Sequence, residues 1–202
     1  MYSVPPRLGI LASGKGSNFV AIADAIAQGQ LEAEIAVLIY NNPDAPVKER
    51  CQERGVPSIL LNHRQFATRE ALDERIAQTL AAYQVDLVVM AGWMRIVTNV
   101  LIDRFPRRIL NIHPSLLPSF PGHRAVAQAL EYGVKITGCT VHIVTLEVDR
   151  GPILAQAPVP VLPNDTVETL HQRIQQAEHQ IYPPTIAAYL AQLTHHHSRV
   201  SS

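Results

Sequence analysis

Short apolar runs of strand length alternate with amphipathic stretches of helix length along the first half of the chain. Residues 7–13 form the first apolar run, and 17–28 then carry apolar residues at helical spacing. The alternation continues with predicted strands at 35–40, 56–61 and 86–91 and predicted helices at 46–54 and 66–83. Near-continuous apolar strands separated by helices predict an α/β fold, with a Rossmann-like, mostly parallel sheet and helices on both faces. Ligands of such sheets bind beyond the carboxyl ends of the strands.

The pattern changes in the second half of the chain. Residues 108–112 form a short apolar strand, and 137–144 and 152–161 are two longer ones joined by a turn. This arrangement favours an antiparallel C-terminal extension of the sheet.

One more helix is predicted near the end of the chain. Asp165 is expected to cap it, with Glu168 completing a capping box, and Pro183-Pro184 is expected to end it. The sequence thus predicts a single domain over residues 1–193. Residues 194–202 have no periodicity and are expected to form a disordered tail.

The charge balance excludes several classes of partner. The chain has 17 Lys and Arg against 17 Asp and Glu, so no global field attracts nucleic acid, and any anion site must be local. No apolar run approaches a membrane span, and the N-terminus lacks the pattern of a signal peptide. Cys51 and Cys139 have no metal-ligand spacing. A cytoplasmic protein without a metal site or a membrane partner is expected.

A glycine loop at residues 13–18 (Ser-Gly-Lys-Gly-Ser-Asn) lies between the first predicted strand and helix. It nearly matches the ATP-binding phosphate loop, but Gly16 stands where a Ser or Thr should hold magnesium. It also nearly matches the dinucleotide fingerprint, but Phe19 replaces the third glycine and no acid follows the second strand. Neither ATP nor NAD is therefore expected.

A single phosphate fits this loop better. The backbone N–H groups of Gly16, Ser17 and Asn18 would hold it at the positive end of the helix dipole, with Lys15 adding charge. The alternative is a structural turn in which Ser17 caps the helix.

Three further polar residues form a candidate catalytic set. Strand alternation points Asn111 and His113 to the same side, and Pro114 stops the strand directly after His113. Asp149 lies in a turn set by Gly151-Pro152. Alone, His113 would be a hydrogen-bonded core histidine and Asp149 an ordinary turn residue. Together, an amide, an imidazole and a carboxylate can stabilise an oxyanion and move a proton in acyl transfer.

Five segments, in this order, resemble the glycinamide ribonucleotide formyltransferases, a branch of the folate-dependent formyltransferase family. They are 14–18 (GKGSN), 91–95 (AGWMR), 111–118 (NIHPSLLP), 137–142 (TGCTVH) and 149–152 (DRGP). The resemblance covers residues 7–190. It implies transfer of a formyl group from 10-formyltetrahydrofolate to the amino group of 5'-phosphoribosylglycinamide, a step of purine biosynthesis. The implied partners are small molecules, and the oligomeric state stays open.

The resemblance also implies roles for individual residues. Asn111, His113 and Asp149 would be catalytic, and the glycine loop would take the substrate phosphate. Gln175 and Glu178 would flank the glycinamide, although helical spacing alone predicts a solvated edge for both. The implied folate-binding residues are Arg69, Met94, Arg95, Ile96, Val97, Asn111, Thr145 and Asp149.

One segment departs from the family pattern. Many relatives have a histidine two residues after the glycine at position 122, whereas here Arg124 takes that place and His123 precedes it. The roles of these two residues stay open. Three alternative functions also remain: hydrolysis of 10-formyltetrahydrofolate by a deformylase, formylation of methionyl-tRNA or of a sugar nucleotide, and a non-catalytic nucleotide-binding module supported by the glycine loop alone.

Overall fold

In a computed structural model of the chain, seven strands form one sheet in the order β3-β2-β1-β4-β5-β6-β7. The structure describes residues 4–200, and their side chains as far as residue 193. The strands are β1 (Arg7–Ala12), β2 (Glu34–Tyr40), β3 (Ser58–Leu60), β4 (Leu87–Met90), β5 (Ile109–His113), β6 (Ile136–Ile143) and β7 (Ile153–Pro160). The helices are α1 (Ser17–Ala27), α2 (Val47–Glu53), α3 (Arg69–Ala82), α4 (Asn99–Arg104), α5 (Ala125–Tyr132) and α6 (Val167–Val200).

The predicted mostly parallel sheet with an antiparallel extension is confirmed. Strands β1 to β5 pair in parallel, while β6 pairs antiparallel with β5, and β7 antiparallel with β6. Consecutive residues of β1 point to opposite faces, so that Ile10 packs with α1 and α6 while Leu11 packs with α3. The sheet therefore has a separate apolar core on each face.

Helices α4 and α5 have no counterpart in the sequence prediction. Helix α4 has only six residues and α5 only eight. Both are shorter than the window over which helical periodicity becomes distinct. They matter because each leads into a segment that borders the candidate site.

The predicted capping box at Asp165 is wrong by one position. Thr166 and Thr169 bond each other reciprocally: each hydroxyl accepts the other residue's backbone N–H, at 3.3 and 2.9 Å. Asp165 instead accepts two hydrogen bonds of 2.8 Å from the guanidinium of Arg173. Arg173 lies two turns along α6, and the Asp165 carboxylate also accepts hydrogen bonds from the Leu162 N–H and the Thr169 hydroxyl.

The predicted end of the last helix at Pro183-Pro184 is also wrong, because α6 continues through both prolines. A proline inside a helix costs about 3 kcal/mol, so packing must offset the loss. The Tyr182 side chain is fully buried, and its hydroxyl lies 3.1 Å from the Met90 carbonyl oxygen and 3.2 Å from that of Leu110. Ile186 and Tyr189 are buried one and two turns later. The apolar face beyond the prolines thus holds the helix in place.

Two further expectations from the sequence concern membrane-spanning helices and the C-terminal tail. Within the described residues, no helix is long and apolar enough to cross a bilayer. The division into a domain over 1–193 and a tail over 194–202 stays a prediction, because the side chains of that tail lie outside the described residues.

Candidate active site

Strand β5 brings Asn111 and His113 to one cavity. Its alternate residues Leu110 and Ile112 are buried in the core, so the two polar side chains share the other face, as the period-2 pattern predicts. Asn111 pairs directly across the antiparallel ladder with His142 of β6. Its amide Nδ2 lies 3.2 Å from His142 Nε2.

The loop between β6 and β7 carries Asp149 to the same place. The turn is tight, and it requires glycine at position 151 because a Cβ there would collide with the carbonyl oxygen of Ile143. Asp149 itself has a positive φ of 55°. Its carboxylate lies 3.3 Å from His113 Nδ1 and 3.5 Å from His142 Nε2, and one oxygen accepts the Gly122 N–H at 2.7 Å.

The electrostatics keep Asp149 ionised. Burial pushes the pKa of Asp149 upward, but hydrogen bonds from His142 and Gly122 and the charges of His113 and His142 outweigh it, and the net pKa is below its usual value. The side chain is only 8% exposed. Asp149 is therefore a negative charge held beside two imidazoles.

Both ring nitrogens of His113 have partners. Nε2 lies 2.9 Å from the Phe120 carbonyl oxygen, which can only accept, so Nε2 carries a hydrogen. Nδ1 faces the Asp149 carboxylate at 3.3 Å. Both ring nitrogens are thus engaged within the protein, so a direct hydrogen bond from this ring to a reacting oxygen requires it to release one partner.

His142 was missed as a site residue by the sequence reasoning. Its Nδ1 lies 3.1 Å from the Ile143 carbonyl oxygen, so a neutral ring accepts from Asn111 through Nε2, whereas a charged ring donates to Asp149. A polar residue within an apolar strand was the available signal. Its position opposite Asn111 depends on the β5–β6 register, which the sequence does not specify.

The glycine loop has the geometry of an anion site. Gly16 precedes α1 with a φ of 73° and gives it no side-chain cap. Within residues 4–193, no group accepts the N–H of Gly16, Ser17 or Asn18. Three donors thus remain free at the positive end of α1, and the alternative in which Ser17 caps the helix finds no support in the hydrogen bonds.

The predicted solvated edge on the last helix is wrong for Glu178. This residue is 5% exposed, and its carboxylate accepts a 2.8 Å hydrogen bond from the Asn18 side chain. Burial raises the pKa of Glu178 to about 7, although the Asn18 bond acts in the opposite direction. The pair joins α6 to the glycine loop. Gln175, three residues earlier, is only partly buried.

The raised pKa of Glu178 makes stability depend on pH. The folded protein keeps a proton that the unfolded chain releases between pH 4.5 and about 7, so the free energy of unfolding falls as pH rises through this window. Glu178→Gln removes this titration and keeps an acceptor for Asn18. We expect the variant to gain up to about 3 kcal/mol over the wild type on going from pH 5 to pH 8.

Urea denaturation at both pH values measures this gain. Glu131→Gln, at an ion-paired surface position that is 69% exposed, is the matched control and should follow the wild-type pH dependence. Parallel curves for Glu178→Gln and the wild type would show that Glu178 is ionised in the folded protein.

A cavity of about 720 Å³ opens beside the Asn111, His113 and Asp149 cluster. Several large apolar side chains that line it are exposed, among them Met94 at 69% and Leu146 at 55%. Exposed apolar side chains in a concave site favour a ligand with apolar faces. The residues implied for folate that line this cavity are Met94, Arg95, Ile96, Val97, Asn111, Thr145 and Asp149.

Other predicted site residues lie outside the cavity wall. Arg69 is exposed at the start of α3, and the 16–18 loop, Gln175 and Glu178 do not line the cavity either. His171 of α6 lines the cavity. Burial and the charge of Lys15, in the glycine loop, lower the pKa of His171, so this residue lies between the cavity and the glycine loop.

His123 and Arg124, where the sequence departs from the family pattern, both line the cavity. Arg124 also makes an exposed ion pair with Glu131 at 3.4 Å. Among the described residues, no group of three or more His, Cys, Asp or Glu side chains could hold a metal ion.

Comparison with known proteins assigns this fold and site to a class. The formyl transferase family profile matches residues 6–186, and the chain belongs to that family. A solved structure of glycinamide ribonucleotide transformylase 1 from Symbiobacterium toebii is 48% identical, with a TM-score of 0.91 over 94% of this chain and 89% of that one. This chain is therefore similar to that transformylase in fold as well as in sequence.

The names of curated relatives specify which kind of formyl transferase the chain resembles. Phosphoribosylglycinamide formyltransferase of Bacillus subtilis is 39% identical over 91% of this chain and 94% of its own length. The trifunctional purine biosynthetic protein adenosine-3 of Drosophila melanogaster is 43% identical over 90% of this chain, but the chain spans only 14% of that protein. The similarity therefore lies in one part of the larger protein.

Proposed function

We propose that the chain transfers the formyl group of 10-formyltetrahydrofolate to the amino group of 5'-phosphoribosylglycinamide, in purine biosynthesis. The observation that carries this proposal is the Asn111, His113 and Asp149 cluster at the mouth of an apolar cavity, with the glycine loop separate from it on the same edge of the sheet. A reaction between two substrates needs both the cavity and the glycine loop. A non-catalytic nucleotide-binding module would use only the loop.

In the proposed reaction the substrate amine attacks the formyl carbon, a tetrahedral carbon forms, and the bond from that carbon to N10 of the folate then breaks. Asn111 donates one amide hydrogen to the developing oxyanion while the other faces His142. A donor in this position typically contributes about 3 to 4 kcal/mol. The His113 ring, held between Asp149 and the Phe120 carbonyl, adds electrostatic stabilisation.

Asp149 is the proposed acceptor of the proton that the amine loses, and N10 gains a proton as it leaves. Alignment of the two substrates contributes more than any single group, roughly 7 to 11 kcal/mol in well-oriented systems. The glycine loop supplies this alignment by holding the ribonucleotide phosphate on Gly16, Ser17 and Asn18. Gln175 and Glu178 complete the glycinamide side, while Arg69 and residues 94–97 hold the folate.

We also propose a cytoplasmic location. Cys51 and Cys139 are both free and buried, and burial raises the pKa of their thiols to about 11 and 12. Two inert, unpaired thiols accord with a reducing compartment.

Steady-state assay of the purified chain tests the proposal. We expect N-formyl product and tetrahydrofolate to form in equal amounts when 10-formyltetrahydrofolate and the ribonucleotide are both present, and neither to form without the ribonucleotide. Release of formate and tetrahydrofolate without the amine would identify a deformylase. Binding of the ribonucleotide with no turnover would favour the binding module.

A further inference from the structure

The connection between β4 and α4 includes residues 94–97, here called the folate segment, and all four of them line the cavity. The folate segment forms no helix or strand, and within residues 4–193 none of its backbone groups bonds to another backbone group. Its conformation therefore depends on what holds its two ends. At each end, a side-chain oxygen accepts a backbone N–H.

Ser13 holds the first end of the folate segment. It follows β1 directly and is the first residue of the glycine loop. Its hydroxyl accepts the Met94 N–H at 2.8 Å, and its own N–H donates to the Gly92 carbonyl oxygen at 3.0 Å. Ser13 thus bonds the chain on both sides of Trp93, where the folate segment begins.

Asp73 of α3 holds the other end. This residue is 2% exposed, and its carboxylate accepts the N–H of Thr98, directly before α4, at 2.5 Å. Helix α3 packs on the face of the sheet opposite to α1. The two ends of the folate segment are therefore held by different parts of the fold: the first by the glycine loop, and the second by α3.

Ser13 connects the folate segment to the proposed phosphate site. Two residues, Gly14 and Lys15, separate it from Gly16, which carries the first of the three free N–H groups. A ligand that orders residues 16–18 therefore also orders Ser13 and, through it, the start of the folate segment. A second ligand that requires this segment to be ordered then loses less conformational entropy when it binds.

We propose that Ser13 couples the two substrate sites, so that a ribonucleotide on the glycine loop raises the affinity of the cavity for the folate. The inference rests on the proposed function. Ser13 is a positioning residue, because it acts through the backbone of Met94 and Gly92. Coupling of this kind is reciprocal, so the folate raises the affinity for the ribonucleotide by the same factor.

Binding of folic acid with and without saturating 5'-phosphoribosylglycinamide measures this coupling. Folic acid carries no formyl group, so no turnover takes place. Trp93 is the only tryptophan of the chain and lines the cavity, so its fluorescence reports folate binding. We expect the ribonucleotide to lower the Kd of folic acid about 10-fold in the wild type, within the range typical of coupled sites.

Ser13→Ala should reduce this factor to about 2-fold, because the bond from Met94 is lost while the bond to Gly92 remains. The lost bond is exposed to solvent, so water can replace the missing partner and the variant should fold. Ser13→Thr keeps the hydroxyl and should retain most of the wild-type factor.

Asp73→Asn is the matched control at the other end of the folate segment. It replaces a carboxylate by an amide, which is a weaker acceptor for the Thr98 N–H. We expect it to weaken folic acid binding by up to about 5-fold, equally with and without the ribonucleotide, so that the coupling factor stays at the wild-type value.

A wild-type factor of one would overturn the inference, and so would a Ser13→Ala variant that keeps the wild-type factor. Equal loss of the factor in Ser13→Ala and Asp73→Asn would also contradict it, because the coupling would then depend on the whole segment and not on Ser13. These three results leave the proposed function intact, since both ligands bind in each of them. Failure of the wild type to bind the ribonucleotide would instead refute the proposed function.

Discussion

Asp149→Asn is expected to lower kcat by about 10² to 10⁴, the range typical of a lost general base. Asparagine has the same shape and keeps an oxygen to accept the Gly122 N–H, so the loop should retain its conformation. The substitution removes the negative charge that faces His113 at 3.3 Å and His142 at 3.5 Å. It therefore removes both the proposed proton acceptor and the negative charge that lies beside the two imidazoles.

The pKa of Asp149 determines the charge that this substitution removes. The lowered pKa of Asp149 means that its carboxylate stabilises the fold above its unfolded pKa of about 4, and that this contribution is lost only as pH falls through the lower folded value. Asp149 thus stays ionised at neutral pH. The loss in kcat should therefore be present throughout the neutral pH range.

Single-turnover and steady-state kinetics at saturating substrates measure the loss in kcat. Asp103→Asn, an exposed position on α4, makes the same change in charge and should leave kcat unchanged. A near-wild-type kcat in Asp149→Asn would refute the assignment of Asp149 as the base. Isolation of a formyl-enzyme would contradict direct transfer between the substrates.

The second large effect is expected at Gly16. Alanine there is strained by the φ of 73°, and its Cβ would collide with the side chain of Val47. A non-glycine residue in this conformation costs about 1 to 2 kcal/mol, and relief of the collision must move the loop. Since Gly16 begins the run of three free N–H groups, we expect the KM for the ribonucleotide to rise at least about 10-fold, with a smaller change in kcat.

Gly14→Ala is the matched control for this prediction. A Cβ at Gly14 meets nothing within 4 Å, so the loop should keep its shape. Initial rates with varied ribonucleotide at saturating folate compare the two variants. If both raised KM equally, or neither did, the phosphate would bind elsewhere.

A structural feature can be predicted from the sequence when it depends on residues that are close together in the chain. Asn111 and His113 share a face because of a strand period of two, and the turn that presents Asp149 depends on the nearby Gly151-Pro152. Both features are local, and both agree with the structure. The predicted capping box is displaced by one residue: Thr166 accepts the Thr169 N–H, while the Asp165 carboxylate is bonded to Arg173, eight residues later in the chain.

The features that the sequence did not predict depend on distant contacts. Burial of Glu178 requires α6 to pack against a loop 160 residues earlier in the chain. The role of His142 depends on strand register, and the continuation of α6 past two prolines depends on Tyr182 reaching the ends of β4 and β5. Propensity and periodicity carry no information about these contacts.

The long helix α6 also sets a length. His171 borders the cavity, and Glu178 meets the glycine loop seven residues later, which in an α-helix is about two turns, or roughly 10 Å. Four residues beyond Glu178, Tyr182 bonds the helix to two strands of the sheet, which fixes the position of the helix relative to the sheet. The helix thus sets the distance between the cavity and the glycine loop. A one-residue insertion within it would rotate one end by about 100° relative to the other. Acceptance of a longer or shorter amine substrate would require a change in the backbone of α6, and side-chain substitutions around the cavity would not supply it.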